Sequence, residues 1–152
     1  MAGTSFGTNT ALTVTNLQSV ADGAGWQSAN IDNTDGLWAE LFLTIATTTT
    51  AGDASGTVDV YLAASTDGGT DHAGGATGSE GGYTDSADVD PDNLRFIGSV
   101  PVDASETTAR TYRHHIVVHD LPEDFAIVCI NNSGAALAAS GNAVEYRLNK
   151  IA

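Results

Sequence analysis

Residues 57–65 read Thr57-Val58-Asp59-Val60-Tyr61-Leu62-Ala63-Ala64-Ser65. Val58, Val60, Leu62 and Ala64 alternate with Asp59 and Tyr61, and a period of two assigns each set to one face of a β-strand. Gly52-Asp53 precedes the run and Asp67-Gly68-Gly69 follows it, and these are residue types that end strands. The pattern repeats towards the C-terminus. Leu94–Val102 alternates Leu94, Phe96, Gly98, Val100 and Val102 against Arg95 and Ser99. Arg110–His119 puts Tyr112, Ile116 and Val118 on one face. Phe125–Asn131 is a continuous apolar strand, and Asn142–Ile151 alternates Val144, Tyr146 and Leu148 against Glu145, Arg147 and Asn149.

Towards the N-terminus, Trp38–Thr47 places Trp38 with Phe42 on one side and Leu41, Leu43 and Ile45 on the other. Two apolar faces predict a central strand covered on both sides. Ala11–Val20 reads as a further strand with Leu12 and Val14 on one face, and Gly25–Ile31 as a shorter one. No window of ten residues holds a period of 3.6, and Ser133–Gly141, Ala-rich between glycines, reads as an extended loop. Seven or eight strands divided by turn residues predict an all-β fold, a jelly-roll-like β-sandwich. The sandwich would occupy residues 11–152 as one domain. Residues 1–10, polar and small, would form an arm that is flexible unless a neighbour holds it. Asp67–Asn93, rich in Gly, Asp, Ser, Thr and Ala, would be one long acidic loop with Tyr83 and Val89 as its anchors.

Charge narrows the function. The 152 residues carry a formal net charge of −14. Residues 1–94 hold thirteen acids and no Lys or Arg, while residues 95–152 hold six acids and all five bases. Nucleic acid is an unfit partner, because phosphate binding needs Lys and Arg to release counterions. An anionic membrane surface is unfit for the same reason. The first residues carry no basic, apolar leader pattern, and no apolar run approaches the roughly 20 residues of a spanning helix.

Few residues offer themselves as a site. Cys129 lies in the apolar run Ala126–Ile130 and reads as a buried small hydrophobe. Seven carboxylates crowd the loop, at Asp67, Asp71, Glu80, Asp85, Asp88, Asp90 and Asp92. Calcium takes such ligands, but the EF-hand positions counted from Asp85 fall on Asp90 and Phe96 instead of Gly and Glu. His115 and His119 share a strand face about 13 Å apart, and His114 points the other way, so that strand alone builds no zinc site. Neither H-E-x-x-H nor a P-loop occurs. The expectation is therefore no enzyme, no catalytic residue, no metal and no cofactor. Arg95, Arg110, Arg113, Arg147 and Lys150 either pair internally or form a patch facing a neighbouring copy.

Four stretches taken together carry a resemblance. They are Phe6–Asn33 (F-G-T-N-T-A-L-T-V-T-N-L-Q-S-V-A-D-G-A-G-W-Q-S-A-N-I-D-N), Val60–Gly69 (V-Y-L-A-A-S-T-D-G-G), Asn93–Val102 (N-L-R-F-I-G-S-V-P-V) and Leu121–Tyr146. In these strand-and-turn phrases the chain resembles the small β-rich structural proteins of tailed-phage virions. The resemblance implies many copies on a virion, most often as a capsid decoration (cement) protein on the outside of the head, otherwise in the neck or tail. It implies the major capsid protein and copies of the chain itself as partners, and it brings no catalytic residues. The long acidic loop departs from the pattern. A competing reading is a carbohydrate-binding adhesion module, for which Trp26, Tyr61 and Tyr83 are the available ring platforms. On the virion reading, the arm and the basic C-terminal half are the contact surfaces.

Overall fold

The structure is a computed structural model that describes residues 3–84, 93–105 and 107–151. The strands are β1 (Thr4–Phe6), β2 (Thr10–Ala11), β3 (Gly25–Gln27), β4 (Ile31–Asp32), β5 (Trp38–Ala46), β6 (Gly56–Ser65), β7 (Gly81–Tyr83), β8 (Arg95–Val102), β9 (Thr111–His119), β10 (Asp124–Asn132) and β11 (Ala143–Ile151). They form two sheets in which neighbouring strands are antiparallel. The first runs β1-β11-β5-β9, with β2 also on β11. The second runs β7-β3-β10-β6-β8, with β4 also on β10.

The short strands pair up into longer ones. β1 and β2 lie along the same edge of β11, matching Phe6 to Asn149 and then Thr10 to Tyr146. Between those matches the first strand spends one residue more than β11, the signature of a bulge. β3 and β4 follow β10 in the same way, matching Gln27 to Val128 and Ile31 to Phe125. Ser28 fills that second slip. Its N–H donates to Ile127 O at 2.9 Å, and its Oγ accepts from Ile127 N–H at 2.9 Å. At the first slip the Gly7 N–H donates to Asn149 Oδ1 at 3.1 Å, and a Cβ at Gly7 would run into Leu148 O. Counting each interrupted pair once gives two four-strand rows, β1/β2-β11-β5-β9 and β3/β4-β10-β6-β8. The chain winds between the rows as a jelly roll does. β7 is an addition at the free edge of β3.

Residues 4–6 and 10–11 are thus held by the protein's own β11 and do not depend on a neighbour. The strand expected over Ala11–Val20 is different. It stops at Ala11, and Thr15–Leu17 forms a 3-10 turn. This segment has to cross from one sheet to the other, and it does so through Ser19 at φ 62°. Its apolar residues still serve the core, with Leu17 and Val20 buried and Leu12 and Val14 packed against them. Ser133–Gly141 is the extended loop expected, and its Leu137 is buried.

Between the sheets lie Leu41, Leu43 and Ile45 of β5, Val58, Val60 and Leu62 of β6, and Phe125, Ile127 and Cys129 of β10. β5 is central, as its sequence predicts, but only its inner face is sealed. Trp38 and Phe42 on its outer face are half-buried. β10 is closed on both faces. A second cluster on its outer side joins Ala63, Ala126 and Val128 to Ala76, Tyr83 and Leu94. β8 lies at an outer edge and carries Pro101 and a register shift opposite Val60/Tyr61, both tolerated at an edge. Replacing Ile127 by Ala removes a fully buried side chain from the centre of this stack. It is expected to lower unfolding stability by about 2–5 kcal/mol, measured by urea titration with the m-value unchanged.

Candidate functional site

The outer face of the first sheet collects the residues best placed to bind something. Side chains matched across antiparallel strands share a face. One row holds His115, Phe42 and Glu145, and the next holds Val117, Glu40 and Arg147. The third holds His119, Trp38 and Asn149, with Phe6 beyond Asn149 on β1. Phe6, Val117 and Ile151 are 62%, 46% and 59% exposed, unusual for large apolar side chains on so charged a protein.

Glu40 organises this face. Its Oε2 accepts from Arg147 Nε and, at 2.9 Å, from Asn149 Nδ2. His115 Nε2 lies 3.2 Å from its Oε1. The Arg147 hydrogen bond lowers the Glu40 pKa to about 2, outweighing the opposing effect of burial, and Asn149 adds to it. Arg147 in turn lies over two rings, 5.2 Å from the Phe6 centroid and 5.5 Å from that of Phe42. His115 stacks on the Phe42 ring, with centroids 4.8 Å and planes 3° apart. Phe6, Arg147, Phe42 and His115 form one continuous ledge held by cation–π and stacking contacts.

The outward charges on this face cancel, Arg113 and Arg147 against Glu40 and Glu145. The rest of the chain therefore carries the whole −14. Such a neutral, ring-bearing surface can approach another protein without the repulsion that the remaining surface imposes.

The residues singled out from sequence are scattered. Among the described residues, three of the five bases pair internally: Arg147 with Glu40, Lys150 with Asp35 at 3.2 Å, and Arg110 with Asp103 at 4.0 Å. Arg95 Nη1 donates to Asp120 O at 3.0 Å. His114 faces inward and His115 and His119 outward, and no group of three His, Cys, Asp or Glu side chains among the described residues could hold a metal ion. Cys129 is buried, which pushes its thiol up to about 12. Trp26 and Tyr83 are interior, so neither is a sugar platform. Tyr61 packs edge-on against Phe96 with centroids 5.5 Å apart. The spacing G-x-S-x-G occurs once, at Gly3–Gly7. Ser5 lies in an edge strand opposite Lys150 and not at the strand-to-helix turn that a nucleophile elbow needs.

The acidic loop divides. Asp85, Asp88, Asp90, Asp92, Val89 and the segment weighed for calcium lie outside the described residues, apart from Asn93. Residues 67–84 form a strap across the second sheet instead of a solvated loop. Burial disfavours the charge of Glu80, yet hydrogen bonds from Asn16 N–H at 2.8 Å, Trp26 Nε1 at 2.9 Å and Asn16 Nδ2 at 2.9 Å hold its pKa below the usual range. Asp67 closes a turn by accepting from Ser65 Oγ and the N–H groups of Thr70 and Asp71. The Thr77 N–H and Oγ1 bond the Gln27 amide at 2.8 and 3.0 Å, and Tyr83 donates to Gly74 O at 2.7 Å. His72 lies beneath, 2.9 Å from Asn30 Oδ1, while Asn30 Nδ2 donates to Asp124 at 2.6 Å. Burial lowers the His72 pKa against the pull of Asp124, Asp67 and Asp71, and its Nδ1 has no hydrogen-bond partner among the described residues. Sequence reading missed Glu40 and saw Glu80 and His72 only as loop residues, because the partners of all three lie 40 or more residues away along the chain.

No protein-family model matches the chain, and no curated protein matches it.

Two pH effects follow from different groups. The ionised Glu40 stabilises the fold fully above about pH 4.5, and that contribution disappears as pH falls towards about 2. Glu40→Gln is expected to melt at a lower temperature near neutral pH and to lose less on acidification over that window, read by thermal melts. His72 shifts in the same direction for a different reason, because burial favours its neutral form in the fold. Its contribution is lost as pH falls below 6.5, where the unfolded chain takes up the proton first. His72→Gln should flatten the stability profile just below 6.5 and leave the Glu40 window unchanged.

Proposed function

We propose that this chain is a non-enzymatic structural protein of a tailed-phage virion, a decoration (cement) protein that binds the outside of the head. Its partners are the major capsid protein and copies of itself, and it uses no cofactor. The observation that carries the reading is the neutral ledge of Phe6, Arg147, Phe42 and His115 on a protein of net charge −14. A surface of this kind suits burial against protein. The jelly-roll frame gives it a rigid base, and the resemblance of the strand-and-turn phrases supplies the virion setting. The charge favours an outer location over contact with the packaged genome. Binding to the assembled particle would stabilise both components by mass action.

Val117 is exposed on β9 at the edge of this face, so Val117→Asp adds an unpaired charge to it at little cost to the fold. Occupancy of intact heads, counted by electron cryomicroscopy after adding the purified protein, is expected to drop by roughly tenfold or more for this variant. Its melting temperature should stay that of the wild type. Copies found on the neck or tail, or unchanged occupancy, would overturn the reading.

A further inference from the structure

The ledge is divided by charge as well as lined with rings. On the β9 side, Arg113 and His115 point outward two residues apart, and Arg113 makes no ion pair among the described residues. On the β11 side, in the same row as His115 and Phe42, stands Glu145. Its one side-chain hydrogen bond among the described residues is a long one from Asn9, at 3.4 Å, and it makes no ion pair among them. An unpaired cation and a nearly unpaired anion thus flank β5 on opposite sides.

We propose that a second copy of this chain docks face to face on this sheet, about a two-fold axis running along β5. The inference rests on the reading of this face as an assembly surface, and it names the occupant. Rotation about that axis lays β11 of the second copy over β9 of the first. Glu145 of the second copy then meets Arg113 and His115, and the same contact recurs on the other side of the axis. A contact made twice by one patch is what a two-fold interface requires. Sheets packed face to face lie about 10 Å apart with strands within about 30° of each other. The half-buried rings of Phe42 and Trp38 would fill the space at the centre. Glu40, close to the axis, is already neutralised by Arg147 and so does not repel its counterpart. A two-fold axis across the strands through this row is disfavoured, because it sets His115 on His115 and Glu145 on Glu145. A different acidic partner would satisfy Arg113 but would leave Glu145 opposed. Only a surface with the same division of charge satisfies both.

The test is sedimentation of the full chain at concentrations up to millimolar, with charge reversals. Wild type should form dimers. Arg113→Glu and Glu145→Arg should each weaken association by roughly tenfold or more, and the double variant should restore it. Because both positions lie on the surface, circular dichroism of each variant should match wild type. A wild type that stays monomeric, or a double variant no better than either single one, overturns the proposal. Monomers that still decorate heads would defeat the dimer and spare the decoration reading. Dimers that fail to bind heads would do the reverse.

Discussion

β10 is buried on both faces, and most of the architecture answers to that. Phe125, Ile127 and Cys129 point between the sheets, while Ala126 and Val128 point away from them. In a two-layer sandwich the outward set would face water. A third layer is therefore needed, and residues 67–84 provide it. That layer consists largely of Gly, Ala, Ser and Thr and can bury little apolar surface of its own. Specific hydrogen bonds hold it instead, to Trp26, Gln27, Asn30 and Asn16. Trp26 is central to this arrangement, filling the core with its ring and anchoring the strap with its indole N–H.

The two outer faces of the sandwich are consequently unlike. One is closed by the strap and takes no part in the ledge. Among the described residues nothing covers the other, and its half-buried rings are organised by one buried carboxylate. Glu40 aligns Arg147, and Arg147 aligns Phe6 and Phe42. A single ionised group thus sets the shape of a surface that is otherwise made of flat rings. Functional asymmetry in this protein starts with which face the strap covers.

Much of the frame was legible in the sequence. The alternation in Trp38–Thr47, Thr57–Ser65, Leu94–Val102, Arg110–His119 and Asn142–Ile151 corresponds to β5, β6, β8, β9 and β11 within a residue or two. Alternation identifies faces because it is local, except in β8, where the register shift turns Leu94 and the exposed Phe96 to the face opposite Val100 and Val102. It does not reveal what covers a face, and so the strap reads as a solvated loop. Ala11–Val20 misleads for a related reason, since Leu12, Leu17 and Val20 reach the core from an irregular crossing. The ledge was only partly readable. Phe42 and His115 are visible as strand residues, but Glu40 looks like any surface acid until β11 brings Arg147 beside it.

The two outer edges of the sandwich on the side of β8 and β9 carry different risks. An unpaired strand edge is a template for another chain, and proteins blunt it with proline, bulges or charge. β8 has Pro101 and an irregular register. β9 has neither, and it runs regularly against β5 for nine residues. Among the outward side chains of β9, Arg113 carries the one formal charge that protects it. At high concentration, strand-to-strand aggregation would therefore begin at β9, and removing the Arg113 charge would lower the barrier.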